Sequence, residues 1–328
     1  MSKLRLSLGC WNYDRTRSLL EGRVQPDGID LNYLNMPVEE TFFRMLRNRE
    51  FDVAEMSLSS YTVSLFRDSP FIAIPVFPSR FFRHSCIYVN ADSGIREPKD
   101  LIGKRIGNPE YQMTAPVWIR GVLQDEFGVP VNSVTYYTGG EEEPNRSEKL
   151  KLDLPPDIKV ERIGPEQTLS AMLASGEIDA LYTARMPSSF HGSDKVKRLF
   201  EDFVPVEQDY FRRTGIFPIM HTVVIRREVY DQNRWVAQSL YKAFCQAQQE
   251  TYQDLYETAA LKAMLPWLTA HVEETRREMG RDFWPYGFEK NQATLSTFLR
   301  YSYEQGLSKR LLTPTELFAP ETLESFKI

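Results

Sequence analysis

The stretch Pro98–Val129 reads PKDLIGKRIGNPEYQMTAPVWIRGVLQDEFGV. Its first third leads into a short strand around Ile106, and Asn108 to Met113 form a polar loop. The rest is helical. Thr114 is expected as the N-cap, Pro116 is tolerated in the first turn, and Gly128 is expected to end the helix just after Phe127. Strand, loop and helix in this order are the building unit of a parallel-rich sheet with covered faces.

The same grammar runs upstream. Leu4, Leu6 and Leu8 alternate with Arg5 and Ser7, a strand pattern. Thr16 to Leu20 reads as a short helix before Gly22, and Ile29 to Leu34 alternates again. A helix is expected from about Val38 to Arg49, with Phe42, Phe43 and Leu46 at core spacing, and then a short strand, Phe51 to Met56. Downstream, Leu169, Met172 and Leu173 mark a helix that ends at Ser175-Gly176. One echo joins the halves. Glu50-Phe51-Asp52-Val53-Ala54 follows the first helix, and Glu177-Ile178-Asp179-Ala180-Leu181 follows the later one. Both read as helix, tight turn, acid, strand, which suggests two related lobes. Thr138 to Asn145 is a solvated loop, Thr222 to Ile225 is a strand, and the chain is largely helical from Arg234 onward.

A chain of 328 residues suits about two domains. With 42% hydrophobic and 26% charged residues it reads as an ordinary globular protein. A net charge of −5 offers no basic footprint for nucleic acid. The N-terminal apolar stretch is too short for a signal h-region, and no apolar run reaches membrane-spanning length, so a cytoplasmic protein with no membrane partner is expected. Cys10, Cys86 and Cys245 are scattered, which points to free thiols rather than a disulfide or zinc framework.

Several longer motifs narrow the fold. PKDLIGKRIGNPE, LQDEFGV and LASGEIDALYTARMP resemble type II periplasmic-binding-protein domains. That resemblance implies an α/β fold of two lobes, each an open, mostly parallel sheet flanked by helices, with a ligand cleft between them. Crossings fall near 86–90 and 219–225, giving a first lobe at 1–88, a second at 89–220, and a return to the first at 221–328. DVAEMSLSSY (Asp52–Tyr61), IPVFPSRFFRHSCIYVN (Ile74–Asn90), NPEYQMTAPVWIRG (Asn108–Gly121) and FPIMHTVVIRREVY (Phe217–Tyr230) resemble the 4,5-dihydroxyphthalate decarboxylase family over nearly the whole chain. This second resemblance implies a carboxy-lyase without an organic cofactor, acting on a small aromatic carboxylate, and a homo-oligomer.

Ligands of open α/β sheets sit beyond the carboxyl ends of strands and at helix N-termini. Four polar segments meet that condition. At the first strand end, Trp11 and Tyr13 could stack on a flat substrate and Arg15 could meet a carboxylate; a packed aromatic turn with a solvated Arg15 is the alternative. Ser57 and Ser59 either cradle an anion or phenol or simply cap a helix. Arg80, Arg83 and His84 cluster before the first crossing and could clamp a dianion, the alternative being a solvated basic patch. Tyr111, Gln112 and Thr114 open the helix of the second lobe, with Arg185 arriving from the same side. His84 and His221, one on each crossing, are the expected acid–base pair, while His191 and His271 are read as packed residues. These two crossing histidines with Glu110 could ligate a divalent ion, although no HxxxH or HxH spacing supports a metal. Trp284-Pro285-Tyr286-Gly287 is an aromatic loop that either covers the ligand or is a plain turn.

The expected reaction is non-oxidative decarboxylation of 4,5-dihydroxyphthalate to protocatechuate by acid–base catalysis. The rival from another class is a solute-binding protein or sensor for a small carboxylate. A thiamin-pyrimidine-synthase-like branch of the fold is disfavoured, because that branch resembles a clustered-cysteine design.

Overall fold

The computed structural model describes residues 3–324. Its strands are β1 (Leu4–Cys10), β2 (Ile29–Asn35), β3 (Val53–Ser57), β4 (Phe71–Ile74), β5 (Ile87–Asn90), β6 (Arg105–Asn108), β7 (Thr135–Thr138), β8 (Lys159–Arg162), β9 (Ala180–Tyr182), β10 (Val196–Arg198) and β11 (His221–Arg226). They form two sheets in two compact units. The first unit holds the chain up to Arg80, Ile219–Leu295 and the residues from Thr313; the second holds Phe81–Pro218 and Ser296–Leu312.

The first sheet has the order β2-β1-β3-β11-β4, the second β10-β5-β9-β6-β7-β8. β1 runs parallel to β2 and β3, while β11 is antiparallel to both β3 and β4. In the second sheet β9, β6, β7 and β8 run parallel, and β5 is antiparallel to both β9 and β10. Each sheet is therefore mostly parallel with one reversed strand. Those two strands, β5 and β11, are the first to follow the first and second passages of the chain from one unit to the other, after Arg80 and after Pro218. A strand entering from the opposite unit arrives without a crossover helix of its own, so it is free to run against its neighbours.

The divisions fall after Arg80 and Pro218, compared with 88 and 220 in the sequence reading, and the sequence reading has no counterpart of the Ser296–Leu312 segment. Packing explains that segment. Trp118 packs against Phe298 and Tyr301, with ring centroids 5.6 Å apart in both pairs. A Cβ on Gly121 would come within 2.2 Å of the Tyr301 ring, so glycine makes room for it. Arg120 Nε donates to Gln305 Oε1 at 2.7 Å. The expected helix from Thr114 to Phe127 is present, but Met113 takes the N-cap position and Thr114 is its first helical residue. Gly128 ends it in the left-handed conformation, φ 66°.

The sequence echo has a structural counterpart. Asp52 accepts the Ser7 N–H at 2.8 Å, and Asp179 accepts the Arg105 N–H at 2.8 Å. Two residues beyond each of those N–H groups stands a glycine on which the residue before the aspartate rests. A Cβ on Gly9 would come within 2.9 Å of Phe51, and one on Gly107 within 2.6 Å of Ile178. Strand register agrees as well, since Leu8 pairs with Val53 and Ile106 with Ala180. An aspartate tied to the neighbouring strand's backbone and a glycine admitting its predecessor lock the same strand pair in each unit.

Candidate active site

β3 is buried along its whole length, yet it carries a glutamate, Glu55, at 0% exposure. A carboxylate there is tolerated only if donors converge on it. Four residues, brought by two neighbouring strands, supply them. β1 lies beside β3, so the chain leaving β1 passes over Glu55: Trp11 N–H donates at 3.1 Å, the Tyr13 hydroxyl at 2.6 Å, and the Cys10 thiol lies 3.6 Å away. β11 lies on the other side and brings His221, whose Nδ1 is 2.6 Å from Glu55 Oε1. Burial works against the charge on Glu55, but His221, Tyr13 and the Trp11 N–H outweigh it and hold its carboxyl below the usual glutamate value. Burial, and then the Glu55 charge, raise the Cys10 thiol well above its ordinary value, so it stays protonated.

With Nδ1 against the carboxylate, the imidazole is fixed in orientation, and its Nε2 has no hydrogen bond to a described residue. The Phe42 and His221 rings pack edge to face, with centroids 4.9 Å apart. Tyr13 then connects this pair to a cation. Its hydroxyl is on Glu55, and its ring face lies 4.2 Å from the Arg15 guanidinium carbon. Arg15 Nε donates to the Pro78 carbonyl at 2.6 Å and Nη1 to Asp14 at 2.9 Å. Trp11 is exposed. Ser57, opposite His221 in the strand register, caps the next helix by accepting from Ser60 N–H, and Ser59 is fully buried in that helix. Trp11, Tyr13, Arg15, Ser57 and His221 thus gather in the first unit. Arg80, also in that unit, is buried, and its guanidinium donates to the Pro285 carbonyl and to Asn291 Oδ1.

The other expected residues lie in the second unit. His84 is buried between Phe200 and Tyr210, its Nδ1 without a hydrogen bond and 3.9 Å from Glu207. Burial, with Arg213 adding to it, brings its pKa down to about 4. Arg83 stacks on Phe81 and donates to the Ala184 carbonyl. Tyr111 is fully buried; its hydroxyl donates to the Gln305 carbonyl and its ring lies beneath Arg120. Gln112 donates to Glu110, which Arg146 and Lys149 neutralise. Thr114 is buried in the first helical turn, and Arg185 is exposed.

Sequence reasoning passed over Glu55, although its signal is visible: an acid in the middle of a short run otherwise fit for a strand buried on both faces. It also passed over Asn108 and Glu141 in the second unit. Asn108 ends β6 at 0% exposure with neither amide atom paired, and Glu141, with a pKa pushed up to about 7 by burial, accepts from Thr183. Among the described residues no three His, Cys, Asp or Glu side chains group as metal ligands. No described helix is long and apolar enough to cross a membrane.

No protein-family model matches the chain. Individual proteins do. It is 46% identical over 330 residues, covering 100% of both chains, to a 4,5-dihydroxyphthalate decarboxylase of Comamonas testosteroni. It is 48% identical over 214 residues to the protein of the same name from Pseudomonas putida, covering 65% of this chain and 83% of that one. Among solved structures, the putative periplasmic sulfonate-binding protein SsuA of Methylobacillus flagellatus superposes with a TM-score of 0.56 at 14% identity, over 98% of this chain and 93% of that one. That likeness shows the two-lobed, type II periplasmic-binding-protein-like fold, and the full-length sequence identity shows that the chain belongs to the 4,5-dihydroxyphthalate decarboxylase family.

Proposed function

We infer that the chain is a carboxy-lyase that removes one carboxyl group from 4,5-dihydroxyphthalate without oxidation, giving protocatechuate and CO2. Family membership supports the substrate and the reaction. The observation that carries the mechanism is the hydrogen bond between buried Glu55 and His221 Nδ1, with Nε2 left to a ligand.

Each carboxylate of this substrate is para to one hydroxyl. Releasing that hydroxyl's proton while protonating the carboxyl-bearing carbon produces a dienone; the carbon–carboxylate bond then breaks, its electrons restore the aromatic ring, and the phenol is reprotonated. Carbon protonation is the hard step because it suspends aromaticity. An imidazolium at His221, backed by the Glu55 carboxylate, supplies the proton from Nε2, and Glu55 fixes the ring and stabilises its positive charge. Arg15 holds a carboxylate, and the exposed Trp11 ring offers a face to the flat substrate. His84 is a weaker candidate for proton transfer than His221, because burial disfavours its charged form and aromatic rings surround it. The substrate's own phenol is the electron sink, so this route needs no organic cofactor. Family resemblance further supports a homo-oligomer in the cytoplasm, which light scattering and cell fractionation would test.

Turnover of 4,5-dihydroxyphthalate in D2O tests the reading. One deuterium per protocatechuate, at the carbon that lost CO2, is expected, and His221→Ala should lower kcat by about 10²–10⁴-fold. Binding of the substrate without CO2 release would favour a solute-binding role.

A further inference from the structure

Two aromatic rings hold Arg15. Its guanidinium carbon lies 4.2 Å from the centre of the Tyr13 ring and 4.3 Å from the centre of the Trp284 ring. Its edges are nearly filled as well: Nε goes to the Pro78 carbonyl, Nη1 goes to Asp14, and Nη2 has no hydrogen bond to a described residue. A guanidinium so placed cannot turn, and it offers one edge to an anion.

Trp284 is fixed in turn. Its Nε1–H donates to the Phe77 carbonyl at 2.9 Å, its backbone N–H to the Tyr252 hydroxyl at 3.0 Å, and its carbonyl accepts from Gln248 at 2.6 Å. The residues after it are pinned as firmly. The Pro285 carbonyl accepts from Arg80 at 2.7 Å and from Asn291 at 3.0 Å, and Gly287 N–H donates to the Pro75 carbonyl at 2.9 Å. Between them, Tyr286 is buried with its hydroxyl unpaired; burial pushes that phenol's pKa up, and the Arg15 charge is the largest influence opposing it. Arg80 therefore works from behind, as a strut for the aromatic segment that clamps Arg15.

We propose that Trp284 is a positioning residue for substrate: by stacking on Arg15 it fixes the guanidinium edge that receives a carboxylate of an aromatic ortho-dicarboxylate. This rests on the substrate class inferred above. A positioning residue acts on binding and orientation more than on the bond-making step, so its loss falls on KM before kcat.

The test uses the full-length protein and phthalate, which has both carboxylates and no hydroxyl to react, with benzoate as the single-carboxylate control, both followed by calorimetry. Trp284→Leu should weaken phthalate binding by about tenfold or more while changing benzoate binding by less, and should raise KM for 4,5-dihydroxyphthalate more than it lowers kcat. Trp284→Phe keeps a ring face and should restore phthalate binding to within about threefold of wild type. Should Trp284→Leu fail to fold by circular dichroism, Trp284→Met gives an apolar side chain without a ring and carries the same expectation. A folded Leu or Met variant that binds phthalate like wild type overturns the proposal, as does a wild-type protein with no affinity for phthalate. Wild-type protein that binds phthalate in this Trp284-dependent way but releases no CO2 from 4,5-dihydroxyphthalate supports the clamp and overturns the reaction instead.

Discussion

The two units use one strand-pair design and put opposite chemistry on it. Counting three residues on from Asp52 gives Glu55, and three on from Asp179 gives Tyr182. Three residues on from Ser7 gives Cys10, and three on from Arg105 gives Asn108. In the first unit the carboxylate at this place collects Tyr13, Trp11 N–H and His221 and remains charged. In the second unit the equivalent position is a buried phenol; there buried Glu110 is met by Arg146 and Lys149, whereas Glu141, Glu148 and Glu207 accept from uncharged groups. Burial raises Glu141, Glu148 and Glu207 to about 7. Burial alone therefore does not set the protonation of a carboxyl. The number and charge of the donors that its neighbouring strands deliver decide it.

The largest test of this contrast exchanges the charged position. Glu55→Gln keeps the shape and some hydrogen bonds but removes the charge behind His221. A fall in kcat of about 10²-fold or more is expected, whereas Tyr182→Phe should leave kcat within about twofold. Equal losses from the two variants would show that the units do not divide their roles in this way.

Next come the shared glycines. Gly9→Ala and Gly107→Ala each push a methyl group into the residue ahead of the aspartate, and each should cost about 1–3 kcal/mol by urea denaturation. If only one of them destabilises, the two strand pairs are not locked alike.

Smaller effects should follow from unpaired groups. Asn108 is fully buried with both amide atoms unpaired, so Asn108→Leu removes a desolvated polar group and should leave stability unchanged or raise it by about 1 kcal/mol. A clear loss of stability would mean that the amide is hydrogen-bonded in solution.

The smallest effect concerns pH. Folded Glu207 keeps its proton up to about 7, above the 4.5 of an ordinary glutamate. Its contribution to stability is therefore complete below 4.5 and is lost as pH rises through 7. His84 runs the other way: held down to about 4 against an ordinary 6.5, it costs stability as pH falls between those values. Glu207→Gln removes the first slope and leaves the second. Relative to wild type it should gain on the order of 1 kcal/mol in denaturation experiments between pH 5 and pH 8. An unchanged pH profile would place Glu207 in contact with solvent.

Much of the fold could be read from local patterns. Alternation in Leu4–Leu8, the glycine at 128 and the repeated acid after a helix each reflect a rule that acts within a few residues. The return of Ser296–Leu312 to the second unit could not be read that way, because its reason is a glycine at 121 that accommodates a ring at 301. The site divides along the same line. Tyr13 and Arg15 stood out as residues at a strand end, and His221 as a histidine on the second crossing that the fold resemblance implied. Glu55 did not, since on its own strand it is one acid among apolar neighbours, and its meaning comes from strands 45 and 166 residues away.

The strands β1, β2, β3, β6, β9 and β11, several helices, the parallel-rich grammar and the family are legible in the sequence alone, because propensity, periodicity and motif are local properties, while β4, β5, β7, β8 and β10 are not. Only the tertiary structure decided which buried carboxyl is charged, which histidine it holds and which aromatic ring steadies Arg15. Each of those depends on donors and ring faces brought together from distant segments, and no local pattern records where they meet.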